Sequence, residues 1–224
     1  MLIRGLPLYT GIAPVVAVSV AYWLGVSNDV LPACMPVLDG CTSISATGRY
    51  PPGSFLFRAI LLPQAVVLAL LWALSAGWLN ALSRAEGSNK LLLVSGLLGA
   101  LALVLYVTFL GTTLPFYELM RRFGIYFYFL GTAVAQLTLA FTLLKAAPLA
   151  RADKLRRYAL AMLWLCGLPF ALGILNLVLK TILQDADPME NRIEWLSALL
   201  MQGYFVVLYL AWRHTGFATS VRVR

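Results

Sequence analysis

Histidine occurs once in this 224-residue chain, cysteine three times, and the acidic residues number nine. A hydrolytic zinc centre wants three or more His, Cys or carboxylate ligands gathered together, and His214 stands far along the chain from the acidic residues that might join it. No metal and no cofactor is therefore expected. No Gly-x-Ser-x-Gly turn and no phosphate-cradling glycine loop is present, which removes the common serine-hydrolase and nucleotide-binding readings. Internal repeats and low-complexity tracts are also lacking. Charge itself is scarce, at 12% of residues, and that scarcity excludes an ordinary water-facing surface.

What fills the chain instead is apolar. Hydrophobic residues make up 61% of it and the mean hydropathy is +0.85. Six long apolar stretches account for most of this, at about Pro7–Val26, Phe57–Leu82, Leu91–Gly111, Phe123–Leu144, Ala159–Leu183 and Ile193–Trp212. A helix crosses the hydrocarbon core with about 20 such residues, and its backbone groups pair within the segment. The stretches are too long and too uniform for the alternating strands of a barrel. The expected fold is all-α, a single domain over residues 1–224 forming a six-helix membrane bundle. Arg4 before the first stretch gives it the look of a secretory signal. Its apolar run exceeds the usual signal core of about 7–15 residues, however, and Val26-Ser27-Asn28 offers no small-x-small site, so it reads as a span.

The net charge of +8 is a statement about topology. With the N-terminus in the cytoplasm, the inner side holds Arg4, Arg84, Lys90, Lys145, Arg151, Lys154, Arg156, Arg157, Arg213, Arg222 and Arg224 against Glu86 and Asp153, a net of +9. The outer side holds Arg49, Arg58, Arg121, Arg122, Lys180 and Arg192 against seven acids (Asp29, Asp39, Glu118, Asp185, Asp187, Glu190 and Glu194), a net of −1. Basic residues concentrate in cytoplasmic loops, so both termini are expected inside. The charge then needs no nucleic-acid partner; its partners are membrane lipids. The basic turn at Ala146–Tyr158 reads first as an orientation anchor and second as an anionic-lipid patch. Cys34 and Cys41 share the first external loop, where an oxidising compartment favours their pairing, whereas Cys166 lies in the fifth span as a small packing residue.

The outer face concentrates the polar features. Its first loop, residues 27–56, is the longest segment outside the spans and carries Gly48, Pro51, Pro52 and Gly53. Arg58 sits just inside the second span, Glu118 and Arg121 fall at helix-neighbour spacing before the fourth, and Glu194 opens the sixth. Ionisable groups in apolar segments are costly and pair or line wet cavities. Two readings stand side by side. In one, Arg58 and Glu194 neutralise each other, Arg121 shares the carboxylate, and the arginines present planar forks to a phospholipid headgroup. In the other, the same groups are interfacial salt bridges and snorkelling side chains. The headgroup candidates are Ser45, Gly48, Arg49, Arg58, Glu118, Arg121 and Glu194; no catalytic residue is assigned. Among the membrane amides, Gln64, Asn80, Gln136, Asn176 and Gln202 serve as interhelical bridges, or Asn176 and Gln202 line a polar path. Pro63 and Pro169 are expected to kink their helices, and the six tryptophans include interfacial belt residues.

Several of these residues form motifs. Cys41-Thr42-Ser43-Ile44-Ser45-Ala46-Thr47-Gly48, Pro51-Pro52, and Phe55-Leu56-Phe57-Arg58 entering the second span resemble the family that joins damage-regulated autophagy modulators to GPI-anchor lipid-remodelling proteins (Frag/DRAM/Sfk). Glu194-Trp195 and Gly203-Tyr204-Phe205 are similar to its last span, and Thr112-Thr113-Leu114 with Gly124 to its third-to-fourth link. The resemblance covers nearly the whole chain. It implies work on lipids: remodelling of GPI-anchor acyl chains in some members, phospholipid distribution or membrane regulation in others. One departure is Arg121, standing where the family often has a histidine, so a proton-transfer role for that position does not carry over. The expected function is to bind, remodel or help redistribute a phospholipid or lipid-linked glycan at an outer-leaflet cavity. The alternative is a non-enzymatic scaffold for another membrane protein; a solute transporter has less support, since no broken-helix pair or repeated half is visible. In intact cells, impermeant thiol labelling after Ser45→Cys and Glu194→Cys should place both positions on one face and Lys154→Cys on the other.

Overall fold

The computed structural model describes residues 2–83, 86–146, 153–182 and 187–218. Arg84, Arg151, Asp185, Arg222 and Arg224, the side chain of Glu86, and the middle of the 146–158 turn lie outside the described residues. All the regular structure within them is helical. A 3-10 turn at Leu2–Gly5 leads into α1 (Leu6–Ser27); the one-turn helices α2 (Pro36–Asp39) and α3 (Ile44–Thr47) follow. Five long helices complete the chain: α4 (Gly53–Ser83), α5 (Glu86–Phe109), α6 (Pro115–Ala146), α7 (Asp153–Ile182) and α8 (Asp187–His214). Six helices are long and apolar enough to cross a membrane, one for each expected span. Several begin earlier than the apolar runs do: α4 starts at Gly53, α6 at Pro115 and α8 at Asp187. A polar first turn costs a helix little where it stands in the headgroup region, so hydropathy alone reads such starts late. Pro14, Pro63 and Pro169 all lie inside continuous helices.

The long helices form a ring in which α1 packs on α4, α4 on α5, α5 on α6, α6 on α7, α7 on α8 and α8 back on α1. Hydrophobicity does not drive this association, because lipid tails are as apolar as leucine; close packing and interhelical hydrogen bonds do. Small residues allow the closest approach, between α5 and α6. A Cβ at Gly131 would stand 2.7 Å from the Ser95 carbonyl oxygen and 2.8 Å from the Gly99 nitrogen, backbone atoms that cannot swing aside. The amides act as bridges. Gln64 donates to the Thr10 carbonyl (3.1 Å), Gln136 to that of Met201 (3.2 Å), and Asn89 to the Asn80 side chain, while the Tyr204 hydroxyl donates to the Gln136 carbonyl (2.7 Å). Of the tryptophans, Trp23 and Trp164 face outward, whereas Trp72, Trp78, Trp195 and Trp212 are core residues. Cys166 is buried and free.

The two ends of the bundle are closed differently. At the terminal end, Arg4 donates to the carbonyls of Phe217 (2.7 Å) and Gly216 (3.0 Å), and Trp78 donates to the Thr215 hydroxyl (3.1 Å). At the other end the segment between α1 and α4 folds over the ring. Helix α7 is the least enclosed member, with 11% of its most apolar window buried against 33–50% in the other five. Replacing Gly131 by leucine forces the α5 and α6 backbones apart. It should lower stability by about 1–3 kcal/mol, read as a drop in melting temperature of the detergent-solubilised protein. Gly77→Leu, where a side chain meets open space, should leave that temperature nearly unchanged.

Candidate functional site

The loop across the ring is tied down at many points, and the ties define the site beneath it. Cys34 and Cys41 are joined by a disulfide. The Tyr22 hydroxyl of α1 accepts from the Cys34 backbone nitrogen (2.9 Å) and lies 2.8 Å from the Cys34 carbonyl oxygen, to which it can donate. From the first turns of α8, Asn191 donates to the Gly40 carbonyl (2.8 Å), Arg192 to that of Asp39 (3.3 Å) and Trp195 to that of Thr42 (3.0 Å). Glu194 accepts from the Ser45 backbone nitrogen (3.3 Å). Gly40, at φ +69°, lies so close to the Pro188 carbonyl that a Cβ would overlap it. Only glycine suits both that conformation and that contact. Locally, Ser43 caps α3 by accepting from the Ala46 nitrogen (3.1 Å), the usual way for a serine to satisfy an orphan helix donor.

Under this roof lies a cavity of about 230 Å³, walled by α1, α4, α5, α6 and α8 and including Val37 and Ile44 of the loop. Its lining is apolar apart from Ser19, Tyr106, Tyr128, Glu194, Trp195 and Gln202. Glu194 to Gln202 spans eight residues of α8, about 12 Å at the helical rise, which sets the cavity's depth. The bridges made by Gln64 and by Gln136 with Tyr204 follow directly beyond its lowest wall residues and form a floor. A second cavity of about 490 Å³ lies between α6, α7 and α8. Ile125, Phe129, Glu194 and Met201 belong to both linings. The second space is bounded by outward-facing Tyr126, Leu130 and Phe170, so it is a groove on the apolar flank of the bundle. Lys180 of α7 and Glu190 of α8 make an ion pair (2.8 Å) across it.

The sequence candidates fall into two groups. Ser45, Arg49 and Glu194 come together: Arg49 donates to the Ser45 hydroxyl (3.2 Å), which is 3.1 Å from that of Ser43, while the Ser45 nitrogen meets Glu194. The others are held elsewhere. Arg58 donates to the Leu110 carbonyl just past the end of α5 (2.5 Å), one of the orphan acceptors that a helix end leaves. Arg121 (3.2 Å) and Arg122 (2.8 Å) both pair with Glu118. The expected Arg58–Glu194 pair, with Arg121 sharing the carboxylate, is thus not formed. Because α6 already begins at Pro115, Arg121 finds a carboxylate within its own first turns. Of the seven candidates only Glu194 lines a cavity; Ser45, Gly48, Arg49, Arg58, Glu118 and Arg121 line neither. Gly48 is a packing position, where a Cβ would strike Phe57 (2.7 Å) and Leu110 (2.8 Å). Asn176 lines the groove and Gln202 the inner cavity, two spaces that adjoin through shared wall residues.

Sequence reasoning passed over Tyr22, Tyr106, Tyr128 and Asn191. Tyrosine inside an apolar run was the available signal, since its hydroxyl needs a partner once buried. The family model for the Frag1/DRAM/Sfk1/Cwh43P N-terminal domain matches residues 3–215. The chain belongs to this family. No curated protein and no solved structure matches it. Membership in the Frag1/DRAM/Sfk1 family agrees with the resemblance drawn from the 41–58 and 194–205 motifs, and with a multi-pass membrane protein of six spans. If α8 holds the roof, the double change Asn191→Ala and Trp195→Phe removes two ties worth about 1 kcal/mol each. Limited proteolysis within residues 28–52 should then speed up several-fold, while Lys90→Ala leaves it unchanged.

Proposed function

We propose that the protein holds a membrane lipid, with a hydrocarbon chain in the inner cavity and the headgroup beneath the loop, on the side that the charge pattern assigns to the outer leaflet. The observation that carries this reading is a roofed apolar cavity with a carboxylate at its loop end, adjoining an apolar flank groove through shared wall residues. A water-soluble substrate gains little from such walls. A lipid reaches the groove by lateral diffusion and leaves no backbone group exposed to hydrocarbon on the way. Ser45, Arg49 and Glu194 are the headgroup contacts; Gly48 supports the loop, and Arg58, Glu118 and Arg121 shape its surroundings. Binding, remodelling and redistribution of a phospholipid or lipid-linked glycan all begin with a lipid held in this way, and the family resemblance points to the same substrate class.

A second reading, a scaffold for another membrane protein, is favoured by α7, whose sides away from α6 and α8 lack a neighbour within the chain. In-cell crosslinking from outward-facing Trp164 or Ile174 that recovers one stoichiometric protein, with lipid composition unaltered, would favour it. The lipid reading is checked by native mass spectrometry of the detergent-released protein. Lipid should co-purify with the unaltered chain and be largely lost on Ala198→Trp, which fills the cavity, whereas Arg156→Ala should retain it. A chain that carries no lipid, together with an unchanged lipid profile in a deletion strain, would remove the basis for this reading.

A further inference from the structure

The polar groups at the roof narrow the headgroup further, an inference that rests on the lipid-holding reading above. Glu194 and Arg49 both touch Ser45, one at its nitrogen and one at its hydroxyl. Neither takes part in an ion pair among the described residues, although both are half-buried. The other ionised groups of this region are occupied: Lys180 with Glu190, Arg121 and Arg122 with Glu118, Arg58 on the Leu110 carbonyl, and Arg192 on the Asp39 carbonyl. The Nε atoms of Arg49, Arg121 and Arg192 are all buried without a hydrogen-bond partner, so what sets Arg49 apart is that its side chain donates to a neutral hydroxyl, that of Ser45. Here two half-buried charges of opposite sign stand on either side of one serine without forming an ion pair, each left with room for a charge that a ligand brings.

We infer that this pair reads a zwitterionic headgroup, with an ammonium against Glu194 and a phosphodiester against Arg49. The remaining surroundings favour that assignment. Among the described residues the cavity linings hold Glu190 and Glu194 and no Lys or Arg. Arg49 stands outside them, one serine away from Glu194 in the loop, so a purely anionic headgroup would set negative charge against Glu194 before it reached Arg49. A simple amine would leave Arg49 unmatched. Discrimination has to come from these groups, because a hydrocarbon chain moving from bilayer to cavity exchanges one apolar environment for another. Arginine suits the phosphate through its planar fork of donors, and a carboxylate suits an ammonium that still carries N–H donors.

Competition binding to the full chain in detergent micelles tests this, using phosphatidylethanolamine, phosphatidylglycerol and N-acetylated phosphatidylethanolamine with identical acyl chains. Phosphatidylethanolamine should be retained about tenfold over the other two, the discrimination expected of one charge-assisted hydrogen bond. Glu194→Gln, which keeps an acceptor for the Ser45 nitrogen, should bring the three to near parity. Arg49→Met should weaken all of them, since each carries the phosphate. Equal retention of the three lipids by the unaltered chain would overturn the proposal while leaving lipid holding intact, and this comparison stands even if the variants fail to fold. A Glu194→Gln protein that keeps the full preference would overturn it as well. Retention of none of the three, nor of any other lipid, would overturn the lipid-holding reading itself.

Discussion

The grip of α8 on the long loop between α1 and α4 is the constraint from which the site follows. The loop joins α1 to α4, two neighbouring helices of the ring, and α1 reaches α8 on its other side. Four side chains of α8, from Asn191 to Trp195, fasten its backbone. Without them, the carbonyls of Asp39, Gly40 and Thr42 would turn to water and the cavity would stand open. With them the loop becomes a roof, and the carboxylate that helps to hold it becomes the polar end of the space below. One residue, Glu194, therefore serves both architecture and chemistry.

The cavity also reflects how membrane helices associate. Where α5 and α6 carry glycine and other small residues, their backbones approach until no space remains. Even where α5 and α6 meet closely, at Tyr106 and Gly124, the rings of Tyr106 and Tyr128 turn with those of Phe57 and Phe129 toward the cavity, and the amide bridges stand at the end away from Glu194. Helix α7 has few such contacts and stands toward the outside of the ring, which leaves the groove beside it. Tight packing on one side and loose packing on the other give the bundle a rigid wall and an accessible flank.

Much of this was legible in the sequence. Six apolar runs gave six helices, because the bilayer imposes length and composition on any span. The Cys34–Cys41 pairing and the bridging roles of Gln64 and Gln136 were readable from residue type and position. Partner choice among the charges was not. Arg58, Arg121 and Glu194 have complementary signs, yet Arg121 has Glu118 on its own helix face and Arg58 lies beside the end of α5. Sign and approximate depth do not determine which acceptor is nearest; helix starts and rotations do, and hydropathy leaves those free by several residues. Tyr22 and Asn191 escaped notice for a related reason, since their partners are backbone atoms, which look alike in every sequence.

The contact between Gly40 and Pro188 has a bearing on biosynthesis. Residues that pack against each other here leave the ribosome some 150 positions apart, on the order of ten seconds at ordinary synthesis rates. Throughout that interval the loop before α4 has within its reach the Cys34–Cys41 link and the Tyr22 tether but not the latch from α8. The compartment beneath it is therefore sealed last, once translation has delivered the final helix, and the same stretch of chain that closes it brings the acid at its mouth.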